Sequence, residues 1–554
     1  MLYLVPSWNT QIEEFTADPI ISLYQIFQDH GDAVNLMMLD FRPLLRYQLN
    51  VNNLSNASYW CVWDDILNIT VDSGMPLSIE DIDLPDGSEF TYSAFSALVY
   101  LHDQYLAEVK FSKEHFVDQV IFEQLDSQLT EIDQYDDRGF IACKKYVDGN
   151  QGVISQIWFN QLGVPILKYN RLESPSVQVL NDNEHRFDCG TYDDINDVIM
   201  EFTQKHLRTR KGTSNPVILA DFTGHDVRLL SKISHIFPVN LLSTQINDPR
   251  MKANQGEVVR LISDCSTFFV DSQQLQDYWH SFLKERKVHK NSILGYPYAT
   301  ELRLGESNEE EKMPIYWHSY TDQPNDRATV VRAVLNQIIN DEQYFLVAET
   351  GSEATERDIS HRILEILREK FSKIDISDDE AFFQIVSNSN HDHLDDLLHR
   401  LLGNQLASVA VSGDNSNETD EVADKNVESE KEAFLKILFN IHLSTNFSHT
   451  RMLKQLNHAR VLVDVGSYNN RYLLMQAVSA GVPLILKYSD EMVKNKGNGW
   501  ILSDEQSLNA GLDYFLQNLR HWNQSLVDST KLIGQYTVDR QYEYWKGRLL
   551  EYGE

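Results

Sequence analysis

Three polar residues, Asn469, Asn470 and Arg471, occur where the sequence predicts the start of a helix. The first turn of a helix exposes backbone N–H groups, and the helix dipole adds partial positive charge there. Together with the Arg471 guanidinium, these groups suit an anion or another polar ligand. Ordinary capping by an Asn beside a solvated Arg is the alternative, and the residues alone leave both open.

A strand–helix–strand unit positions these residues. Val461–Val465 is a short apolar run typical of a buried parallel strand, and Gly466-Ser467 breaks it. Apolar spacing predicts a helix over Tyr472–Ala480, Gly481 fits its C-cap, and a second apolar run follows. The turn between the first strand and the helix therefore lies at the carboxyl ends of the strands, where α/β sheets bind ligands.

Two further pairs of residues follow the first strand of each predicted domain: Ser7 and Trp8, and Ser319 and Tyr320. We expect all four to face a cleft between the domains. A Trp in such a cleft stacks readily on the apolar face of a sugar ring, although a buried core Trp explains Trp8 equally well.

The segment that begins at Gln476 resembles the donor-site segment of retaining GT-B glycosyltransferases. It reads Gln476-Ala-Val-Ser-Ala-Gly-Val-Pro-Leu-Ile485, close to the Ala-Met-Ala-x-Gly-x-Pro-Val-Ile of that family. The family pattern also has a loop Glu near the donor sugar and a second Glu, eight positions on, that holds ribose hydroxyls. These positions fall on Tyr468 and Gln476, so the resemblance implies a sugar-nucleotide site without its carboxylates.

The two replacements affect chemistry differently. Tyr468 cannot supply negative charge near an oxocarbenium-like centre, and electrostatic stabilisation is usually the largest contribution to catalysis. Gln476 can still exchange hydrogen bonds with hydroxyl groups. The diphosphate clamp that the family pattern expects has no matching motif among Arg451, Lys454 and Arg460.

Three interpretations stay open: a βαβ unit that is only scaffold, a surviving carbohydrate-binding cleft, and an active transferase. We predict no catalytic residue. The candidate carbohydrate-binding residues are Ser7, Trp8, Ser319, Tyr320, Ser467, Asn469, Asn470 and Arg471, and the degenerate donor positions are Tyr468 and Gln476.

The composition narrows the classes of partner. The chain has 554 residues, a net charge of −34 and a pI near 4.8. This charge argues against nucleic acid, because phosphate binding needs a basic surface. One basic stretch, His206-Leu-Arg-Thr-Arg-Lys211, suits peripheral contact with anionic lipid at the inner face of a cell membrane, with a solvated helix end as the alternative.

Cysteine usage and hydropathy indicate a cytoplasmic protein. Cys61, Cys143, Cys189 and Cys265 lie far apart without CxxC spacing, which fits a reducing compartment. The start, Met1–Trp8, lacks the basic and long apolar regions of a signal peptide. No apolar run approaches the roughly 20 residues of a membrane span.

Known cofactor and metal motifs are missing from the sequence. His391, His393 and His399 match no zinc spacing, so a polar helix entry is the better explanation. The sequence contains no Walker loop, GxSxG elbow, HExxH or Gly-rich dinucleotide fingerprint. We therefore predict neither a cofactor nor a metal.

Alternating strands and helices predict an α/β fold at both ends of the chain. Leu2–Val5 reads as the first strand, and a helix over Asp18–His30 has Asp18 as its N-cap and Pro19 at its first position. Aspartates directly follow several predicted strands, as Asp221 and Asp271 do, which places carboxylates along one rim of the sheet.

Two stretches depart from this alternation. Short alternating runs separated by turn residues predict an antiparallel β domain from residue 106 to 191. Val411–Glu432, acidic and poor in large apolar residues, predicts a disordered surface loop. Ala381–Val386 and Leu406–Val411 read as strands of the second α/β series.

The predicted architecture is GT-B-like, with two Rossmann-like domains facing a cleft and an antiparallel β domain inserted in the first. The predicted boundaries are 1–105 and 192–305 for the first domain, 106–191 for the insertion, 306–530 for the second domain and 531–554 for a C-terminal crossing helix.

The whole chain resembles the first of the three accessory secretory proteins of the accessory Sec system, which exports glycosylated serine-rich repeat adhesins in Gram-positive bacteria. Tyr3–Trp8, Phe41–Tyr47, the inserted β region and the GT-B-like end carry the likeness together. The resemblance implies a non-catalytic protein that joins the second and third accessory secretory proteins and the accessory Sec motor. It also implies contact with glycosylated adhesin and some affinity for lipid. An active GT-B glycosyltransferase that modifies serine-rich repeats is the alternative function.

Overall fold

The computed structural model describes most of the chain, in two compact units. The first unit comprises Met1–Val270, Tyr278–Gly295 and the chain from Trp545 onward, and the second comprises Asp271–Asp277 and Tyr296–Tyr544. Side chains are not described at 123 and 418–426. The described residues are 1–8, 14–123, 129–150, 152–209, 216–221, 227–245, 255–387, 393–402, 418–445, 448–504 and 506–550.

The first unit begins with three strands, each followed by a helix. The elements are β1 Leu2–Val5, α1 Pro19–Asp29, β2 Val34–Met38, α2 Leu45–Val51, β3 Tyr59–Cys61 and α3 Val62–Leu67. The predicted start of α1 is confirmed: the Asp18 side chain accepts a hydrogen bond from the Ile21 amide (2.8 Å), and Pro19 is the first helical residue.

A ten-stranded antiparallel sheet interrupts this unit and confirms the predicted insertion. Its strands are β4 Ser88–Tyr92, β5 Ser96–Leu101, β6 Gln104–Phe111, β7 Val117–Glu123, β8 Leu129–Asp136, β9 Phe140–Asp148, β10 Gly152–Phe159, β11 Pro165–Asn170, β12 Val177–Val179 and β13 Thr191–Tyr192, each paired with the next. The sheet starts at Ser88, ahead of the residue 106 at which we expected its first strand. Four of the five side chains of β4 are exposed, so burial imposes no clear pattern on this part of the sequence.

The chain then returns to the parallel sheet of the first unit. The elements are α4 Ile195–Thr209, β14 Val217–Asp221, α5 Val227–Ser234, β15 Val239–Ser243, α6 Gln255–Asp264, β16 Phe268–Val270, α7 Gln273–Glu285 and β17 Ser292–Leu294. The strand order is β17-β16-β15-β14-β1-β2-β3, all parallel. The order reverses between β1 and β14, which is the switch point where doubly wound sheets bind ligands.

The second unit is a six-stranded parallel sheet with helices. Its elements are β18 Met313–Ser319, α8 Pro324–Asn340, β19 Tyr344–Thr350, α9 Glu353–Lys370, α10 Asp379–Ser387, α11 Leu394–Leu402, α12 Glu418–Leu438, β20 Ile441–Ser444, α13 His449–His458, β21 Val461–Asp464, α14 Arg471–Ala480, β22 Leu484–Leu486, β23 Gly499–Ile501, α15 Ser507–Leu516, α16 Leu519–Ile533 and α17 Val538–Leu549. The order β20-β19-β18-β21-β22-β23 has its switch point between β18 and β21. The last helix, α17, runs from the second unit into the first at Trp545.

The strand predicted at Ala381–Val386 is wrong, because these residues lie inside α10. The Asp378 carboxylate accepts a hydrogen bond from the Ala381 amide (2.9 Å) and caps the helix. Ala381, Phe382, Ile385 and Val386 are all buried, at a spacing that one face of a helix provides. A short apolar run does not by itself distinguish a strand from a buried helix.

The loop predicted over Val411–Glu432 is also wrong in its described part, since α12 begins at Glu418. Its last turns carry buried Phe434 and Leu438, and packing of this apolar end supports the helix. The strand predicted at Leu406–Val411 lies outside the described residues. Ile441–Ser444, which we did not predict as a strand, forms the edge of the parallel sheet as β20.

No helix among the described residues is both long enough and apolar enough to cross a membrane.

Candidate functional site

The candidate site lies at the switch point of the second unit, where β18 and β21 end side by side. Trp317 pairs with Val463 in parallel register, so the turns that follow the two strands leave the sheet at the same edge. The turn after β18 leads into α8, and the turn after β21 leads into α14. Asn470 caps α14 by accepting a hydrogen bond from the Leu473 amide (3.1 Å), and Gly481 ends the helix in the left-handed conformation (φ 72°).

The two turns are fastened together by Thr321 and Ser467. The Ser467 amide donates to the Thr321 hydroxyl oxygen at 3.1 Å. A side chain at Gly466 has no room, because its Cβ would come within 2.2 Å of that same oxygen. The close approach of the turns therefore requires glycine at position 466.

Two buried carboxyl groups, Asp322 and Asp464, belong to these turns. Burial raises the pKa of Asp464 to about 7, and the neighbouring charge of Asp322 adds to the effect. Burial likewise raises the pKa of Asp322 to about 6. The Trp317 indole N–H donates to Asp322 (2.8 Å), and the Gly466 amide donates to Asp464 (3.1 Å).

The first unit repeats this arrangement at its own switch point. The Trp8 indole N–H donates to Asp18 (2.9 Å), and burial raises the pKa of Asp18 to about 7. The Ser7 hydroxyl donates to Asp221, the last residue of β14, at 2.8 Å. Trp8 is buried and stacks on Phe15 with ring centroids 3.8 Å apart, which favours the core interpretation over a sugar-stacking surface.

Arg471 is held by acidic residues of its own unit. Its guanidinium contacts Asp490 at 2.9 Å and Glu491 at 3.0 Å, and it lies over the Tyr296 ring at 4.8 Å from the centroid. Both Arg471 and Asp490 have almost completely buried side chains. In this structure the positive charge is therefore neutralised internally, and it is not presented to an anion at the helix start.

Gln274 belongs to the segment Asp271–Asp277 of the second unit and holds the same turn. Its side-chain amide donates to the Ser467 carbonyl (3.0 Å), and its side-chain oxygen accepts from the Asn469 amide (3.2 Å). The Asn469 side chain is directed to Asp490, at 3.3 Å. Ser467 and Asn469 thus use much of their polar surface in bonds that fix the turn.

Tyr468 and Gln476, which we predicted to stand where the related transferases carry acidic residues, are half-buried. Burial, followed by the charge of Asp464, raises the pKa of the Tyr468 phenol, so this side chain is neutral at physiological pH. The Gln476 side-chain oxygen accepts a hydrogen bond from Arg303, a residue of the same unit. Neither position supplies a negative charge to this edge of the sheet.

The last residues of β18 and the residue that follows the strand are mostly covered. Ser319 is buried, and the Tyr320 ring stacks on His318 with centroids 4.7 Å apart. Burial lowers the pKa of His318 to about 4, with His449 contributing, so the imidazole is neutral. Tyr320 is therefore the more accessible member of the predicted pair, at half-burial.

The cationic residues considered for a diphosphate clamp also have partners. Arg451 lies 3.5 Å from Glu349, and Arg460 lies over the Trp522 ring at 3.8 Å from the centroid. Lys454 is exposed on α13. These contacts explain Arg451 and Arg460 as structural residues of the second unit.

A cavity of about 340 Å³ lies beside the turn, towards β22 and β23. It combines apolar walls from Val465, Leu502 and Leu508 with Lys487 and Tyr488. The Lys487 ammonium contacts both carboxylate oxygens of Asp326, at 2.8 and 2.9 Å. Apolar walls with a few polar groups are typical of small-ligand pockets, and the sequence analysis did not find this one because its walls come from four separate segments.

Other candidate sites receive less support. His206 stacks on Trp60 (4.0 Å between centroids), so the first residue of the predicted lipid-binding stretch is a packing residue, and Arg210 and Lys211 lie outside the described residues. His391 is also outside them. Within the described part of the chain, no three His, Cys, Asp or Glu side chains form a group that could hold a metal ion.

Sequence reasoning found the turn but missed the residues that hold it. Asp464 is the last residue of β21, as Asp221 is of β14, but the sequence analysis extended this strand to Val465 and so did not count Asp464 among the strand-end aspartates. Gln274 gives no such signal, because it is 193 residues from the carbonyl it binds.

Comparison with known proteins places this architecture. A crystal structure of accessory secretory proteins 1, 2 and 3 from Streptococcus pneumoniae contains a chain with 19% identity and a TM-score of 0.68, covering 100% of this chain and 99% of that one. The pneumococcal O-GlcNAc transferase GtfA, solved with UDP and GlcNAc, is 9% identical with a TM-score of 0.62, covering 99% of this chain and 98% of that one. At these identities the similarities show the fold, which is GT-B-like.

Sequence comparison gives the family. A curated protein of Streptococcus gordonii, the first accessory secretory protein of the accessory Sec system, is 24% identical over 573 residues, which cover 98% of both chains. The family model that bears the same description matches residues 4–401 and 392–551 of this chain. The chain therefore belongs to the family of the first accessory secretory protein of the accessory Sec system, and its role is in that system.

Proposed function

We propose that this chain is a non-catalytic component of the accessory Sec system that binds glycosylated serine-rich repeat adhesin and targets it for export. It does so in a complex with the second and third accessory secretory proteins, from which the adhesin passes to the accessory Sec motor. The observation that supports the proposal is the strand–turn–helix unit from β21 to α14, in which Tyr468 and Gln476 occupy the positions that we match to the donor-site acidic residues of GT-B transferases.

The electrostatics of this edge support the absence of catalysis. A retaining transferase stabilises positive charge that develops on the sugar, and carboxylates near the reacting carbon supply this stabilisation. The Tyr468 phenol is neutral, and Asp464 is buried with a pKa of about 7. Arg471, which could otherwise neutralise a diphosphate, is already paired with Asp490 and Glu491.

The assembly part of the proposal is supported by the relative from Streptococcus pneumoniae, whose crystal structure contains accessory secretory proteins 1, 2 and 3. This chain is similar to a member of that structure over its whole length. We therefore place the chain in the same kind of complex, in the cytoplasm and with peripheral access to the membrane.

The cavity beside the turn is the place in the second unit where we expect a sugar to be contacted. Tyr488 lines the cavity and is 38% exposed, so its ring is available to stack on a pyranose face. Lys487 and Asp326 offer charged hydrogen-bonding groups at the same wall. This contact needs no catalytic charge, which agrees with the loss of both acidic positions.

Co-expression with the second and third proteins, followed by capture of the complex on immobilised glycosylated repeat, tests the proposal. The Tyr488→Ala variant should assemble normally and retain several-fold less glycosylated repeat. Phe439→Ala is the matched control, because Phe439 is also 38% exposed but does not line the cavity. Failure of the three proteins to copurify would contradict the assembly, and equal retention by both variants would remove the cavity from the sugar contact.

A further inference from the structure

The free edge of the antiparallel sheet is formed by β4. It pairs with β5 on one side, and no described strand pairs with its other side. The opposite edge of the sheet, β13, is only two residues long. Short edge strands protect a sheet from unwanted pairing, whereas a five-residue edge presents a row of unused backbone groups.

The register identifies the backbone groups that point outward. The Ser93 amide donates to the Ser96 carbonyl (2.8 Å), which makes this pair a hydrogen-bonded one. Hydrogen-bonded and non-hydrogen-bonded pairs alternate along an antiparallel ladder. The pairs Tyr92–Ala97 and Phe90–Val99 are therefore non-hydrogen-bonded pairs. The backbone N–H and C=O groups of Phe90 and Tyr92 therefore point away from β5, towards the open side.

Three aromatic side chains at this edge are accessible. Phe90 is 38% exposed, Tyr92 is 62% exposed, and Phe95 in the adjoining turn is 64% exposed. Phe90 and Tyr92 lie on one face of the strand with their rings stacked at 6.1 Å. Natural edges are commonly blocked by charged side chains, especially Lys, by Pro or by a bulge; β4 carries a single charge, Glu89, and neither Pro nor a bulge.

The strand and the turn before it are acidic. Residues 85–92 contain Asp86 and Glu89 and no Lys or Arg. Leu84, just before this turn, packs against the buried cluster that contains Ala97 and Val99 of β5. The earlier carboxylates Asp81 and Asp83 line a cavity with β7, β8 and β9 and are not part of the edge.

We propose that the outer side of β4 is a docking site for an extended, basic segment of a partner protein, which adds to the sheet as an eleventh strand. The outward groups of Phe90 and Tyr92 supply main-chain hydrogen bonds, and the exposed rings receive alternate side chains of the added strand. The acidic residues select positive charge. A second copy of this chain is a poorer occupant, because pairing two such edges would bring two sets of like charges together. The negative charge of this edge also repels anionic lipid and nucleic acid.

Fluorescence anisotropy with the full-length protein and a labelled Lys-Val-Lys-Val-Lys-Val peptide tests this site. The basic peptide should bind, and more weakly as salt is raised, whereas the Glu-Val-Glu-Val-Glu-Val analogue should not. Tyr92→Pro removes an outward backbone N–H and leaves the hydrogen bonds to β5 in place. It should weaken binding of the basic peptide at least tenfold more than Tyr92→Ala does. Glu89→Lys should weaken binding several-fold by charge alone.

Leu172→Lys is the matched control, because Leu172 is 72% exposed in the turn between β11 and β12, away from the edge strand. It should bind the basic peptide as the parent protein does. No binding of the basic peptide, equal affinity for both peptides, or an unchanged affinity for Tyr92→Pro would overturn the proposal. A concentration-dependent dimer in sedimentation velocity that Tyr92→Pro abolishes would assign the edge to a second copy instead.

Discussion

Replacing Asp464 by Asn should stabilise the second unit most at pH 8 and have little effect near pH 4, where the stability contributed by the protonated carboxyl is still nearly complete. Asp464 is 3% exposed at the end of β21, and one of its carboxyl oxygens has no hydrogen-bond partner among the described residues. A buried carboxylate in this position is costly, because water no longer solvates its charge. Asparagine keeps the shape and the oxygen that accepts from the Gly466 amide, and it carries no charge.

The magnitude follows from the shift in the pKa of Asp464, from 3.8 to about 7. The folded state binds the proton more tightly than the unfolded state does, so the free energy of unfolding falls as pH rises from about 4 to about 7 and is constant above that. At about 1.4 kcal/mol per pKa unit, the full effect is about 4 kcal/mol. Since Asp322 also titrates in this range and shares the effect, we expect the variant to gain about 2–4 kcal/mol at pH 8.

Hydrogen exchange of the β21 amides measures the free energy of local opening around Asp464. A local measurement is needed because a chain of two units does not unfold in one step. The opening free energy of these amides should fall between pH 5 and pH 8 in the parent protein, after correction for intrinsic exchange, and should fall by less than half as much in Asp464→Asn, where Asp322 still titrates. Asp375→Asn, at an exposed position of the same unit, should behave as the parent. A variant that loses as much opening free energy as the parent over this range would refute the reasoning.

Three other experiments test the description of the site. Arg471→Met should destabilise the second unit by about 3–5 kcal/mol in chemical denaturation, because it leaves buried acidic partners without a counter-charge; a loss below about 1 kcal/mol would show that the ion pair is unimportant. Gly466→Ala should cost about 2–3 kcal/mol through its collision with Thr321, and a second change, Thr321→Ala, should recover part of the loss in a double-mutant cycle; strict additivity would argue against the contact. The double variant Tyr468→Glu/Gln476→Glu should show no transfer from UDP-sugars, since a diphosphate clamp is also missing from the sequence pattern, and measurable turnover would contradict this.

Much of the fold was accessible from apolar periodicity. The prediction for Leu2–Val5 is confirmed residue for residue, and Asp18 caps α1 as its side-chain chemistry predicts. The inserted sheet is confirmed where strands alternate between buried and exposed side chains. Its start was misplaced by two strands. The edge strand β4 is exposed on both faces and carries no such alternation, whereas β5 does alternate and was missed.

The errors came from segments in which tertiary packing decides the structure. Ala381–Val386 has the composition of a strand, but an Asp378 cap and burial on one face make it helical. Ile441–Ser444 is a four-residue edge strand with an exposed His442, so its apolar signal is short and interrupted.

In the candidate site, too, local sequence rules predict the elements but not the contacts between distant residues. The position of Asn470 at the helix start was predictable from local capping rules, and the structure confirms it. The pairing of Arg471 with Asp490 was not, because the acidic residue lies 19 positions away, beyond another strand. Sequence alone therefore located the turn and could not tell whether its charge is free to bind a ligand.

Binding of glycosylated and bare serine-rich repeat peptide to the complex with the second and third accessory secretory proteins tests the central claim most directly. Titration calorimetry of both peptides against the same preparation gives the two dissociation constants. We expect the glycosylated peptide to bind at least tenfold more tightly, a difference of about 1.4 kcal/mol, and to be recovered with its sugars unchanged. Equal affinity for the two peptides would contradict the account.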